Sequence, residues 1–102
     1  MIDRWLTRWS RNYAFLRRAV DSVGRDIARQ PYQSFLQADQ ELAFSQMVGS
    51  VHVDFAVEVY RIDADGTLWV CVDAGAQLAT PLGIKPSLVF RKHPDGSAWV
   101  QL

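Results

Sequence analysis

Residues 51–74 read Val51-His-Val-Asp-Phe-Ala-Val-Glu-Val-Tyr-Arg-Ile62, then Asp63-Ala-Asp-Gly66, then Thr67-Leu-Trp-Val-Cys-Val-Asp-Ala74. Val51, Val53, Phe55, Val57 and Val59 fall on alternate positions, and so do Leu68, Val70 and Val72 beyond the turn. Side chains alternate faces along a strand, so this period of two predicts two strands with one buried and one wet face. The turn residues between them make the pair a hairpin.

Asp65-Gly66 is the preferred tip of that hairpin, as a type I′ turn that wants positive φ at both central positions. An even loop, here or at Ala64-Asp65, keeps the two apolar sets on one face. A three-residue loop over 64–66 would set Val59 against Cys71 and split them. The preferred tip sets Glu58 against Asp73, a like-charge pair that counts against it.

Upstream, Gly49-Ser50 reads as a two-residue turn with glycine first. It aligns Val48 with Val51, Gln46 with Val53, Phe44 with Phe55 and Leu42 with Val57, so Glu41–Val48 is a third strand. Downstream, Ser87–His93 and Ser97–Leu102 flank Pro94-Asp95-Gly96, a type I turn followed by a bulge. That hairpin pairs Phe90 with Val100 and Leu88 with Leu102 inside, and Arg91 with Trp99 outside, where a cation–π contact is expected. Residues 75–86, with Pro81, Gly83 and Pro86, form a long connection rich in apolar residues. Residues 31–40 are a connector in which Tyr32, Phe35 and Leu36 tuck under one end of the sheet and Ser34 caps a short helical turn.

The sheet needs a cover, and the N-terminus supplies it. Ile2, Leu6, Trp9, Tyr13, Leu16, Val20, Val23 and Ile27 are spaced by fours and threes, one apolar stripe along a helix, widened by Trp5 and Phe15. Pro31 stops it at or before Gln30. Membrane-surface and nucleic-acid readings of this arginine-bearing helix are weaker than its use as a core face.

The fold class is therefore α+β: a single domain, residues 1–102, with one long N-terminal helix packed on one face of an antiparallel meander of about five strands. In general shape it resembles cystatin-like folds and small bacterial immunity proteins. That resemblance is one of shape, and one such shape hosts many functions.

The 102 residues, 49% of them hydrophobic, suffice for a core without disulfide or metal. No apolar run approaches the roughly 20 residues that span a bilayer, and the arginines at the N-terminus argue against a secretory signal. The single cysteine, Cys71, fits a reducing compartment, most simply the cytoplasm. Net charge is zero, yet residues 1–30 carry seven Arg and three Asp, while residues 31–102 carry four Lys or Arg and eight Asp or Glu. The simplest reading of that segregation sets a basic helix against an acidic sheet. The sharper reading makes one sign a partner-binding surface.

No phosphate loop, HExxH or GxSxG is present, and neither catalytic residues, metal nor cofactor is expected. His52, Asp54, Glu58, Tyr60, Trp69, Cys71 and Asp73 line the wet face of the central hairpin at the spacing of any solvated strand. His93 reads as a surface residue beside a turn. Four tryptophans in 102 residues is a high count. Tyr60, Trp69 and Trp99, outward among Asp54, Glu58 and Asp73, are expected as partner-binding residues. The function that follows is a non-enzymatic protein-binding domain, of immunity type, with a basic protein partner. The alternative is a small-molecule binder or small enzyme with a pocket between helix and sheet, closed by residues 75–86. Zero net charge argues against a nucleic-acid partner. Association with further copies of the chain stays open.

Overall fold

A computed structural model of the protein describes residues 2–37, 41–75 and 85–101, with the side chains of 2–7, 37, 41 and 101 left aside. The elements are α1 (Ile2–Ala28), α2 (Tyr32–Gln37), β1 (Glu41–Val48), β2 (Val51–Ile62), β3 (Leu68–Gly75), β4 (Ser87–Lys92) and β5 (Ala98–Gln101). The five strands form one antiparallel sheet in chain order, and α1 lies across β3, β4 and β5. The expected α+β arrangement is thus the observed one. Most of the 75–86 connection, and with it the closure expected of that segment, lies outside the described residues, as does Leu102.

The core is built from both period patterns. Leu16, Ala19 and Val20 from α1 meet Val53, Phe55, Val57, Leu68, Val70, Val72, Leu88 and Phe90 from the sheet, all buried. Val59 is only partly buried. Leu16 and Val20 on the helix and Leu88 and Phe90 on the sheet are among the most fully buried of these side chains. Of the described stripe positions, Leu16 and Val20 are buried, while Trp9, Tyr13, Val23 and Ile27 are half-buried. At Gly24 the helix approaches the sheet closely, because a Cβ there would collide with the Leu88 side chain.

β1 aligns as the turn argument requires, Val48 with Val51 through Leu42 with Val57, and Gly49 takes a φ of 61°. Its apolar side is less covered than expected. Leu42 is 51% exposed, because α1 reaches β3–β5 and not β1. Phe44 is held by stacking on Phe55, with ring centroids 5.3 Å apart.

The β2–β3 turn departs from the type I′ expectation. Asp63 N–H donates to the Thr67 carbonyl and Gly66 N–H to the Asp63 carbonyl, and Gly66 sits at φ 89°. This is the three-residue loop, with glycine in the left-handed position. The parity problem it creates is removed by a bulge at Tyr60, between the Val59–Val70 and Arg61–Trp69 pairs. Below the bulge Glu58 faces Cys71 and Asp73 faces Ala56, so the anticipated carboxylate pair never forms. The β4–β5 turn is the same loop: His93 bonds Ser97, Gly96 bonds His93, and Gly96 has φ 92°. In both, the loop aspartate accepts from the residue after glycine, Asp65 from Thr67 N–H and Asp95 from Ser97 N–H. These bonds hold both carboxyls below their usual range, with the Ser97 hydroxyl contributing most at Asp95. The two turns lie side by side, joined by Thr67 Oγ1 and His93 Nδ1 at 3.1 Å.

α2 packs at the same end. Phe35 is buried edge-on to Phe90, and the Tyr32 hydroxyl donates to the Gly66 carbonyl. Leu36, expected to tuck in, is 49% exposed, and Ser34 lies within α2 rather than capping it.

Lys92 is the one cation in the described core, 1% exposed. Its Nζ donates to the Ala28 carbonyl at 2.8 Å and to the Gly96 carbonyl at 2.7 Å, and stands 5.9 Å from the centre of the Phe35 ring. Ala28 ends α1, where carbonyls lack helical partners and the dipole favours a cation. Burial lowers the Lys92 pKa, and these acceptors are what hold its charge inside.

Two stability outcomes follow. Lys92→Met keeps the packing volume but leaves the buried Ala28 carbonyl without its donor and frees that of Gly96, and should destabilise by about 1–3 kcal/mol in a denaturant titration. Gly24→Ala should lower the unfolding midpoint, costing about 1–3 kcal/mol by overpacking, although propensity alone would favour alanine by about 1 kcal/mol. Trimming the obstacle in Gly24→Ala/Leu88→Ala should give a loss smaller than the sum of the two single changes.

Candidate functional site

The sheet face away from α1 carries the side chains singled out from sequence, and they fall into two groups. Alternation along β2, β3, β4 and β5 places Arg61, Trp69, Arg91 and Trp99 in one row across four strands, since Arg61 pairs with Trp69, Trp69 with Arg91, and Arg91 with Trp99. Trp69 is sandwiched: the Arg61 guanidinium carbon lies 5.3 Å from its ring centre and that of Arg91 5.1 Å. The expected cation–π contact of Arg91 is therefore made with Trp69. The indole N–H donates to Asp63 Oδ2 at 2.9 Å, and Arg61 Nε donates to Asp63 Oδ1 at 2.8 Å. Asp63 thus fixes the ring and one of its two cations together.

Trp69 is consequently a half-buried, constrained side chain, while Trp99 at the end of the row is 64% exposed and Tyr60 on the bulge 48% exposed. The Arg91 Nε is buried with no hydrogen-bond partner.

The carboxylates sit further along the strands. Asp54 pairs with Gly75 and Asp73 with Ala56. With Ala43, the backbone of Phe55, and Lys85 they line an open trough of about 370 Å³. Its floor is low because three of its positions are Ala43, Ala56 and Gly75. A Cβ on Gly75 would stand 3.3 Å from Lys85 Cε, so the glycine makes room for that chain. Asp54 accepts a hydrogen bond of 2.6 Å from Ser45 Oγ. Glu58 is exposed opposite Cys71, between the trough and the aromatic row. Asp54, Glu58 and Asp73 thus share a face with Tyr60, Trp69 and Trp99, but they do not surround them.

Cys71 occupies the middle of the central strand. Its Sγ lies 3.6 Å from Asp73 Oδ1. Burial first, and the Asp73 carboxylate second, push the thiol up to about 11 from an ordinary 9.0. This is the reverse of an activated nucleophile. Among the described residues, no three His, Cys, Asp or Glu side chains come together as metal ligands. His52 and Asp54 lie two residues apart on the same outer face of β2, on either side of the inward-facing Val53 and in register with Met47 and Ser45.

The charge segregation has a geometry other than helix against acidic sheet. In α1, Asp21 pairs with Arg17 and Asp26 with Arg29, and Arg17 also donates to the Ser87 carbonyl at 2.6 Å. Arg8, Arg11, Arg18 and Arg25 are exposed on the helix, and the trough carboxylates lie on the other side of the sheet. No described helix is long and apolar enough to cross a membrane.

Sequence reasoning had not singled out Arg61, Asp63, Ser45 or Lys85. Arg61 and Asp63 carried a readable signal, since Arg-x-Asp at a strand end can bridge to a Trp across the turn. Lys85 carried none, because its place depends on a long connection. Compared with known protein families, with curated proteins and with solved structures, the chain matches none.

The thiol gives a direct check. At pH 8 its thiolate population should be on the order of 100-fold below that of a thiol at the ordinary value, so alkylation of folded protein should be slow and should accelerate up to about pH 11. The unfolded chain loses this proton first, so the Cys71 contribution to stability is present below pH 9.0 and declines as pH rises to about 11. Alkylation of the folded protein at the rate of the denatured chain would contradict this environment.

Proposed function

We propose that the chain is a non-enzymatic protein-binding domain that presents the uncovered face of its sheet to a protein partner, as an immunity-type protein does when it neutralises a toxin. The observation that carries this reading is the 64% exposure of Trp99 at the end of a row in which Asp63 holds Arg61 and Trp69. A tryptophan presented from a fixed sheet loses little conformational freedom on docking, and such residues dominate interface energetics. Further along the same face, the trough offers Asp54 and Asp73 to a basic group of the partner, which gives the pairing its direction and speeds encounter. The thiol is poorly suited to nucleophilic work, which favours binding over catalysis. A partner of this kind meets the domain where the chain itself folds, in the cytoplasm.

Capture from the native host, followed by binding kinetics with the captured partner, tests the assignment. Trp99→Ala should weaken binding by about 2 kcal/mol or more, with the unfolding midpoint unchanged. Asp54→Asn/Asp73→Asn should slow association and flatten its dependence on salt, leaving dissociation nearly the same. Full affinity in both variants would remove the partner from this face.

A further inference from the structure

Among the described residues, β1 is an unpaired sheet edge of a kind that folded proteins ordinarily defend. Edges are blunted by lysine, proline, bulges, brevity or a covering element, because their free N–H and C=O groups template another strand. β1 has eight residues, Glu41–Val48, pairs with β2 without a bulge, and contains no Lys, Arg or Pro. Its single charge is Glu41, at one end. α1 packs chiefly on β3, β4 and β5, away from this edge. Leu42 and Met47, 51% and 56% exposed, are two of the large apolar side chains most open to solvent, and they stand on opposite faces of this one strand. The far edge, β5, has only four residues.

We propose that β1 pairs with β1 of a second copy, antiparallel, joining two sheets into one of ten strands. This goes beyond the docking face proposed above and stands without it. The two-residue turn makes Val48–Val51 a hydrogen-bonded pair, so alternation along the ladder turns the N–H and C=O of Ala43, Ser45 and Met47 outward. A two-fold axis through Ser45 sets these groups against one another in register: Ser45 faces its own copy and Ala43 faces Met47. On the other face Leu42 meets Val48, and Phe44 meets Gln46. Every large exposed apolar group of the strand then gains an apolar neighbour, and the two Glu41 residues lie at opposite ends. This self-complementarity is what selects a second copy over an unrelated strand. Ala43 also lines the acidic trough, so Met47 of the second copy would extend the trough wall across the axis.

Ser45→Lys tests the axis. Within one chain the new ammonium faces Asp54 across β2 and is tolerated. Across the axis it faces its own copy, and like charges directly opposed are unfavourable. Sedimentation over a range of concentrations should show a dimer for the wild type and a monomer for Ser45→Lys, both with the same circular dichroism. As an independent readout, Ser45→Cys in a Cys71→Ser background should form a disulfide-linked dimer under mild oxidation, and Leu42→Cys in that background should not. A wild type that stays monomeric at the highest concentration, or a dimer untouched by Ser45→Lys, overturns the proposal. Loss of partner binding by Trp99→Ala in a chain that remains dimeric would separate this edge from the docking face.

Discussion

The fold closes on a buried ammonium. Lys92 joins the last carbonyl of α1 to the turn between β4 and β5 and lies against Phe35 of α2. The end of α1, the β4–β5 turn and α2 thus meet at one atom. A methylene stem is cheap to bury among apolar side chains, but its charge tolerates burial only where acceptors wait for it. The end of a helix is such a place, since its carbonyls are otherwise unpaired. The helix must therefore stop where it does, and the β4–β5 turn must lie beneath that stop. The two Asp-Gly turns, held together by Thr67 and His93, are stacked at this same end of the sheet.

With α1 committed to the inner face, the outer face inherits whatever the strands alternate to it. What arrives is ordered by row. One end is a line of guanidinium and indole groups, two of them clamped by Asp63, and the other is an acidic trough with a small-residue floor. The arginines of α1 lie on the opposite side of the molecule from those carboxylates. A chain of zero net charge thus presents two unlike sides, and a partner approaching it would experience a strong orientation preference.

Much of this was legible in the sequence, where one period and one short turn left little choice. The register of β1 on β2 followed from Gly49-Ser50 alone, and Phe90–Val100 from Pro94-Asp95-Gly96. The β2–β3 turn was read differently because parity was applied to the loop in isolation. A three-residue loop and a bulge at Tyr60 each shift the register by one, and together they restore it. The two loops do share a visible signature, Asp65-Gly66-Thr67 and Asp95-Gly96-Ser97, whose aspartates bond alike. Lys92 was also visible: it follows Leu88 and Phe90 at alternate positions, so the strand period alone puts it inside. Trp69 and Trp99 were read as equal anchors. Their difference depends on Arg61 and Asp63 crossing a turn, which a face-by-face reading of single strands does not contain.

The meander has a consequence for synthesis. Every strand pairs with its chain neighbour, so hairpins can zip in the order in which they leave the ribosome. The helix is made first, yet the strands it packs on are β3, β4 and β5, and its Lys92 clamp is made near the end. At chain growth of roughly 5–20 residues per second, Leu16, Ala19 and Val20 wait several seconds for a surface to bury them. During that interval the nascent chain displays an amphipathic, arginine-flanked segment of the type that chaperones hold.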